Sequence, residues 1–103
     1  MVCLSDVDFK IGIIKWLCES LEEDMLQVEY PNNFILDMGW YHEQYIIYII
    51  KDYEWSVPVA KYCIKNESNL LDTLQIAIDR IILDSQNAKA YYGKLWRTEA
   101  YNY

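Results

Sequence analysis

The sequence predicts an α+β fold, a two-layer sandwich in which a three-stranded antiparallel meander packs against two helices. Three observations support it: an alternating apolar run at 34–64, and helical apolar spacing both before and after that run. The predicted order is α-β-β-β-α, followed by a helical or irregular aromatic tail. With 103 residues, 53% of them hydrophobic, the chain fits a single domain over residues 1–103.

The predicted meander begins with period-two alternation over residues 34–41, which places alternate side chains on opposite faces of a strand. Gly39 within that strand indicates a bulge or a close approach by another group. The run 45–50 (YIIYII) is β-branched and aromatic with both faces apolar, and it therefore predicts the central strand.

Polar residues at 42–44 and 51–56 predict the two turns of the meander. The third strand is expected at 57–64. Because Pro58 lacks an N–H group, it predicts that this strand lies at an edge of the sheet.

Helical periodicity predicts helix one at about 6–23 and helix two at about 69–85. Residues 25–30 fit either a short extra strand or a loop. The tail, 86–103, is rich in Tyr and Trp; a third short helix is expected around 87–96, and the tail is expected to pack against the domain. The stripe of helix one comprises Phe9, Ile13, Ile14, Leu17, Cys18 and Leu21.

Catalytic signatures are missing from the sequence. His42 is the single histidine and is expected to be a solvated turn residue, without a second ligand at metal spacing. Asp37 is one carboxylate among apolar residues and does not form an acid/base pair. The three cysteines show no pairing pattern, and Cys18 and Cys63 fall on apolar stripes. No enzyme, metal or cofactor is therefore expected; a reactive Cys18 or Cys63 would be the exception.

Negative charge is concentrated in the first half of the chain. The net charge is −7, and residues 1–54 hold 11 acids and 3 bases, which gives −8. Such a surface disfavours direct nucleic-acid binding and favours a basic protein partner or mimicry of a nucleic acid. The same negative charge is equally explained by the need to keep a small apolar domain soluble. No secretory signal and no membrane span is visible, so a cytoplasmic location is expected.

Aromatic residues make up 16% of the chain, with ten Tyr and four Trp. Amphipathic rings are favoured at contact surfaces, so some are expected to face a partner. Half-buried rings around a small core would explain the same composition.

A further pattern covers about a quarter of the chain and consists of Asp37-Met38-Gly39-Trp40-Tyr41, residues 47–52 and Trp55 with Pro58-Val59. This pattern resembles small bacterial immunity proteins of toxin–immunity pairs, including those of contact-dependent inhibition systems. It implies a cytoplasmic inhibitor that binds a cognate toxin domain and blocks its active site or an essential surface. A phage-encoded inhibitor of a bacterial defence nuclease and a self-associating structural or regulatory domain are the alternatives.

The predicted contact surface combines the acidic end of helix one with the two turns of the meander. Aromatic side chains serve there as anchors and acidic ones as steering charges. The candidate residues are Glu19, Glu22, Glu23, Asp24, Tyr41, Glu43, Tyr53, Glu54 and Trp55.

Overall fold

The computed structural model describes residues 3–21, 23–86 and 98–103. They form one six-stranded sheet in the order β1-β2-β3-β4-β5-β6, antiparallel except for the parallel pair β5–β6. The strands are β1 (Ile13–Leu17), β2 (Leu26–Tyr30), β3 (Phe34–Tyr41), β4 (Gln44–Lys51), β5 (Ala60–Ile64) and β6 (Glu99–Asn102); helix α1 spans Leu70–Gln86 and follows a 3₁₀ turn at Glu67–Asn69. The α+β class is confirmed, whereas the arrangement of two helices and three strands is wrong.

The predicted helix at 6–23 is replaced by a short 3₁₀ turn, Leu4–Asp6, and by strand β1. The isoleucines at 13 and 14 are β-branched and favour a strand, and Gly12 costs about 1 kcal/mol in a helix interior relative to Ala. β1 pairs with β2 and shifts register between Ile14 and Trp16, as at a β-bulge. The apolar spacing of this segment fits a helix, but pairing with β2 determines its structure.

Residues 25–30 adopt the strand alternative, as β2. The meander is confirmed in β3 and β4, which pair from Phe34↔Lys51 to Tyr41↔Gln44. β4 is central, with β3 on one side and β5 on the other, and six of its eight residues from Tyr45 to Ile50 are apolar or aromatic and mostly buried.

The third strand begins at Ala60 rather than at residue 57, and the prediction that it is an edge strand is wrong. β6 pairs with its outer side, from Ala60↔Glu99 to Cys63↔Asn102. Pro58 lies in the loop before the strand, where its missing N–H removes no ladder hydrogen bond. The edge strands of the described sheet are β1 and β6.

One face of the sheet, the covered face, carries the hydrophobic core. Helix α1 packs on it, which confirms the predicted helix at 69–85, and its buried stripe includes Leu74, Ala77 and Ile78. Leu4 and Val7 of the N-terminal segment complete this layer. Gln75 of α1 holds the N-terminal segment at Asp8 through two hydrogen bonds. The Asp8 N–H donates to Gln75 Oε1 (3.2 Å), and Gln75 Nε2 donates to the Asp8 carbonyl (3.0 Å).

The opposite face of the sheet, on which α1 does not pack, is called the open face. The strand register shows which side chains lie on it. One row of paired residues crosses it from β1 to β5: Trp16, Gln27, Asp37, Tyr48 and Lys61. Neither α1 nor Leu4 and Val7 reaches these side chains, because they lie on the other side of the sheet. This row carries polar and aromatic groups, whereas Ile35, Ile46 and Ile50 on the same face are buried.

The aromatic tail is described only for 98–103; the helix predicted at 87–96 falls outside the described residues. Tyr101 in β6 stacks on Tyr62 with ring centroids 5.0 Å apart. Arg80 of α1 forms an ion pair with Glu99. This part of the tail packs on the domain as expected. In the described ranges, no helix has the length and apolar character needed to cross a bilayer.

Candidate protein interface

The predicted contact residues lie at two opposite ends of the sheet. The β1–β2 connection (18–25) and the β3–β4 turn (42–43) share one end, whereas the β4–β5 loop (52–59) lies at the other. The eight residues of β4 separate them by roughly 25 Å at about 3.3 Å per residue. The first group holds Glu19, Glu23, Asp24, Tyr41 and Glu43; the second holds Tyr53, Glu54 and Trp55; Glu22 is outside the described residues.

At the first end, the chain around Glu23 packs directly on β3. A Cβ atom built on Gly39 would lie 1.9 Å from the Glu23 carbonyl oxygen and 2.7 Å from the Tyr41 ring. The Met25 N–H donates to the Met38 carbonyl at 3.0 Å. The predicted close approach at Gly39 is confirmed, and it brings Glu23 beside Tyr41.

Several carboxylates lie within electrostatic reach of the Tyr41 hydroxyl. Burial is the main cause that raises its pKa, and the charges of Asp37, Asp24 and Glu23 raise it further. Two predicted acids, Glu23 and Asp24, therefore share one negative region with Asp37.

Glu19 has a structural contact of its own. Its side chain is partly buried, and Oε2 accepts a hydrogen bond from the Leu4 N–H at 2.8 Å. This bond fixes the N-terminal segment to the β1–β2 connection. Glu43, by contrast, is exposed in the turn beside His42, which is also exposed as predicted.

A pocket of about 330 Å³ opens beside these acids, lined by Trp16, Asp24, Leu26, Gln27 and Asp37. The indole N–H of Trp16 donates to the Asp24 carbonyl at 2.8 Å, and Gln27 Nε2 donates to Asp37 Oδ2 at 3.4 Å. Burial raises the pKa of Asp37; the Gln27 hydrogen bond opposes this shift, and the charge of Asp24 adds to it.

The edge strand β1 exposes an unusually apolar surface. All five of its residues are exposed, with Ile13 at 61%, Ile14 at 45%, Trp16 at 51% and Leu17 at 40%. In the described sheet no strand pairs with its outer side, so its backbone N–H and C=O groups are accessible there. We call this strand, with the exposed Ile11 and Leu21 that flank it, the β1 surface.

The second end has a different chemistry. Tyr53, Glu54 and Trp55 are exposed, and Asp52 and Tyr53 adopt left-handed backbone angles (φ 54° and 61°). A pocket of about 350 Å³ is lined there by residues that include Trp55, Tyr48 and Lys61. The Lys61 ammonium lies 5.9 Å from the centre of the Tyr48 ring, so a cation already occupies one wall of this site.

Trp16 and Gln27 were not among the candidate residues predicted from the sequence, and the pocket that Asp37 lines with them was not predicted either. The helical interpretation of 6–23 hid β1, although the Ile-Gly-Ile-Ile run with its β-branched residues was the available signal for a strand. Over the residues that the structure describes, no group of three or more His, Cys, Asp or Glu side chains could hold a metal ion.

Comparisons of the chain with protein-family models, with curated proteins and with solved structures gave no match. Its function is therefore inferred from the chemistry of its surface.

Proposed function

We propose that the protein is a cytoplasmic immunity protein that binds a basic bacterial toxin domain and neutralises it by protein–protein contact. The observation that carries the proposal is the β1 surface, an apolar strand edge with which no described strand pairs; Asp24 lies beside it, and its carbonyl accepts a hydrogen bond from the Trp16 indole. An apolar centre with a charged border is the usual anatomy of a specific interface.

The unpaired edge offers two kinds of contact to a partner. An extended segment of the partner can add to the sheet beside β1 through main-chain hydrogen bonds. The side chains of Ile13, Ile14 and Leu17 then lose water-exposed area, and burial of apolar surface is the dominant favourable term in most protein–protein association.

Charge favours a basic protein as that partner. The net charge of −7 and the acids beside β1 attract a cationic surface and raise the rate of encounter. A toxin domain that acts on nucleic acid presents such a surface at its cleft, and an inhibitor seated there would exclude the substrate.

A second copy of this chain is a poorer partner for β1. Antiparallel pairing about the centre of β1 would set Lys15 opposite Lys15 of the other copy, and like charges directly opposite each other destabilise a strand pair. Each copy also carries seven excess negative charges.

A pull-down of tagged protein from its own cells, analysed by mass spectrometry at low and high salt, tests the proposal. Stoichiometric recovery of one basic toxin domain is expected. The double variant Ile13→Thr/Ile14→Thr keeps β-branched residues but removes apolar surface, and recovery should fall at least tenfold. The matched control, Ile76→Gln/Leu83→Gln, removes exposed apolar side chains from α1 and should leave recovery unchanged.

Equal recovery with the β1 variant would reject the β1 surface as the interface. Recovery of a defence nuclease would favour the phage-inhibitor alternative. A doubled mass with no other protein recovered would favour self-association. Neutralising Glu23 and Asp24 (Glu23→Gln/Asp24→Asn) should slow association with the toxin and weaken its salt dependence; an unchanged rate at low salt would exclude steering by these acids.

A further inference from the structure

We infer that the pocket between Trp16, Asp24, Gln27 and Asp37 binds the side chain of an arginine inserted by the basic partner. This inference rests on the proposed function and specifies the recognition chemistry next to the β1 surface. The pocket has a volume of about 330 Å³, which is sufficient for a side chain as large as arginine.

The Asp37 carboxylate lines this pocket, and it forms no ion pair with any residue that the structure describes. The ion pairs among the described residues are Lys10–Asp8, Lys51–Asp52, Arg80–Asp84 and Arg80–Glu99, and neither Asp37 nor Asp24 belongs to one. Among the described residues, the Asp37 carboxylate accepts a side-chain hydrogen bond from the neutral Gln27 amide, at 3.4 Å. A partly buried carboxylate held only by a long neutral hydrogen bond gains from a cationic ligand.

The wall opposite Asp37 suits a planar cation. Trp16 is half-exposed, and its indole N–H is engaged by the Asp24 carbonyl, which fixes the orientation of the ring. A guanidinium group can lie on the face of a Trp ring and gain a cation–π interaction there.

The remaining acceptors match the donors of a guanidinium group. Gln27 uses its NH₂ group towards Asp37, so its carbonyl oxygen can accept an N–H bond from the ligand. Asp24 supplies a second negative charge at the pocket wall. Arginine carries five N–H donors in one plane, whereas the ammonium of lysine is a point charge that can neither stack on the ring nor bind a carboxylate through two parallel bonds.

The position of the pocket agrees with the proposed docking mode. Trp16 belongs both to the β1 surface and to the pocket wall, and Gln27 and Asp37 continue the same row inward across β2 and β3. A partner segment beside β1 can therefore direct a side chain over β1 into the pocket.

The test titrates N-acetyl-arginine amide into the isolated, ¹⁵N-labelled protein and follows the Trp16 indole and Gln27 amide signals by NMR. Saturable shifts with a Kd on the order of 1 mM are expected, which is a realistic affinity for one side chain. N-acetyl-citrulline amide has nearly the same shape without the charge and should cause no saturable shift. N-acetyl-lysine amide should bind at least fivefold more weakly than the arginine probe.

Two variants separate recognition from folding. Asp37→Asn should weaken binding of the arginine probe at least tenfold while its unfolding midpoint stays equal or rises. Asp72→Asn changes the same charge on the exposed side of α1 and should leave binding unchanged. The inference fails if the arginine probe causes no saturable shift, if citrulline binds equally well, or if Asp37→Asn binds as the wild type does.

This titration needs no partner, so its failure is distinct from failure of the proposed function. A toxin recovered in the pull-down together with no arginine binding overturns the pocket and leaves the immunity function standing. Arginine binding with no partner recovered supports the pocket and overturns the immunity function.

Discussion

Asp37 occupies a position where its charge opposes folding. Its carboxylate is partly buried on the open face, and that burial raises its pKa above the ordinary value of 3.8. A group with a raised pKa in the folded state is stabilised there in its protonated form. Its ionisation therefore lowers the free energy of unfolding as pH rises from the ordinary pKa through the raised one, and the loss persists at neutral pH.

The variant Asp37→Asn should accordingly unfold at a higher denaturant concentration than the wild type at pH 7. The difference in unfolding free energy should shrink as pH falls towards 4, because the wild-type carboxyl becomes protonated. Urea titrations at several pH values measure it, with Asp72→Asn as a control that should show no such gain. A variant less stable than the wild type at pH 7 would contradict this account of Asp37.

Gly39 is required by a backbone contact. The Cβ atom of an alanine would lie 1.9 Å from the Glu23 carbonyl oxygen, and a backbone atom cannot move aside as a flexible side chain can. Gly39→Ala should therefore destabilise the protein by about 1–3 kcal/mol, the typical cost of overpacking. Urea unfolding checks the value, and a loss below about 0.5 kcal/mol would show that the β1–β2 connection moves freely away from β3.

At the scale of elements, the β3–β4 hairpin is closed by a turn that its sequence does not favour. His42 and Glu43 both adopt left-handed backbone angles, with φ of 50° and 62°. A two-residue hairpin with both central residues at positive φ is best formed by Asn-Gly, because other residues pay a steric cost there.

Replacing the turn by His42→Asn/Glu43→Gly should stabilise the protein by about 1–2 kcal/mol. Thermal and urea unfolding of the isolated protein measure the gain. Glu43→Ala is the matched control, since it removes the same charge but keeps a Cβ atom at positive φ, and it should give no gain. Equal stabilisation by both variants would assign the effect to charge rather than to backbone conformation.

An element could be predicted from the sequence when its apolar pattern lies entirely within its own segment and the structure buries that pattern. The α1 stripe and the alternation of β3 and β4 are complete within their own segments, and both elements were predicted with nearly correct bounds. Residues 9–21 carry apolar spacing that fits a helix, yet pairing with β2 leaves Ile13, Ile14 and Leu17 exposed. The helical interpretation assumed that these apolar side chains are buried, and in β1 they are exposed instead.

The remaining features could not be predicted because they depend on contacts between segments that are distant in the sequence. Pro58 predicts an edge strand at 57–64, but it lies in the loop before β5, and only the return of the chain after α1 reveals that β6 covers the outer side of that strand. The pocket likewise depends on register, since Trp16, Gln27 and Asp37 become neighbours only through two successive strand pairings. The two turns of the meander lie at opposite ends of β4, so the predicted contact residues fall into two separate groups, and this also depends on how the strands pair.

Across the whole molecule, local stability should fall from the centre of the sheet to its β1 edge. In β3 and β4, Leu36, Ile47 and Ile49 are fully buried, so their strands open only when the core is lost. β1 exposes all five residues and has one neighbouring strand, so its detachment uncovers little apolar surface. The surface proposed for binding is therefore also the part of the sheet that opens most easily.

Native-state hydrogen exchange should show this gradient directly. Amides of β3 and β4 should exchange only through global unfolding, whereas the β1 amides bonded to β2 should exchange at least a hundredfold faster, because they need only local opening. β1 amides as protected as those of β4 would contradict the gradient. If the proposed partner adds a strand at the outer side of β1, its binding should slow exchange in β1 more than exchange anywhere else, because the added strand closes the edge. Slowing confined to the 52–59 loop would instead place the partner at the opposite end of the sheet.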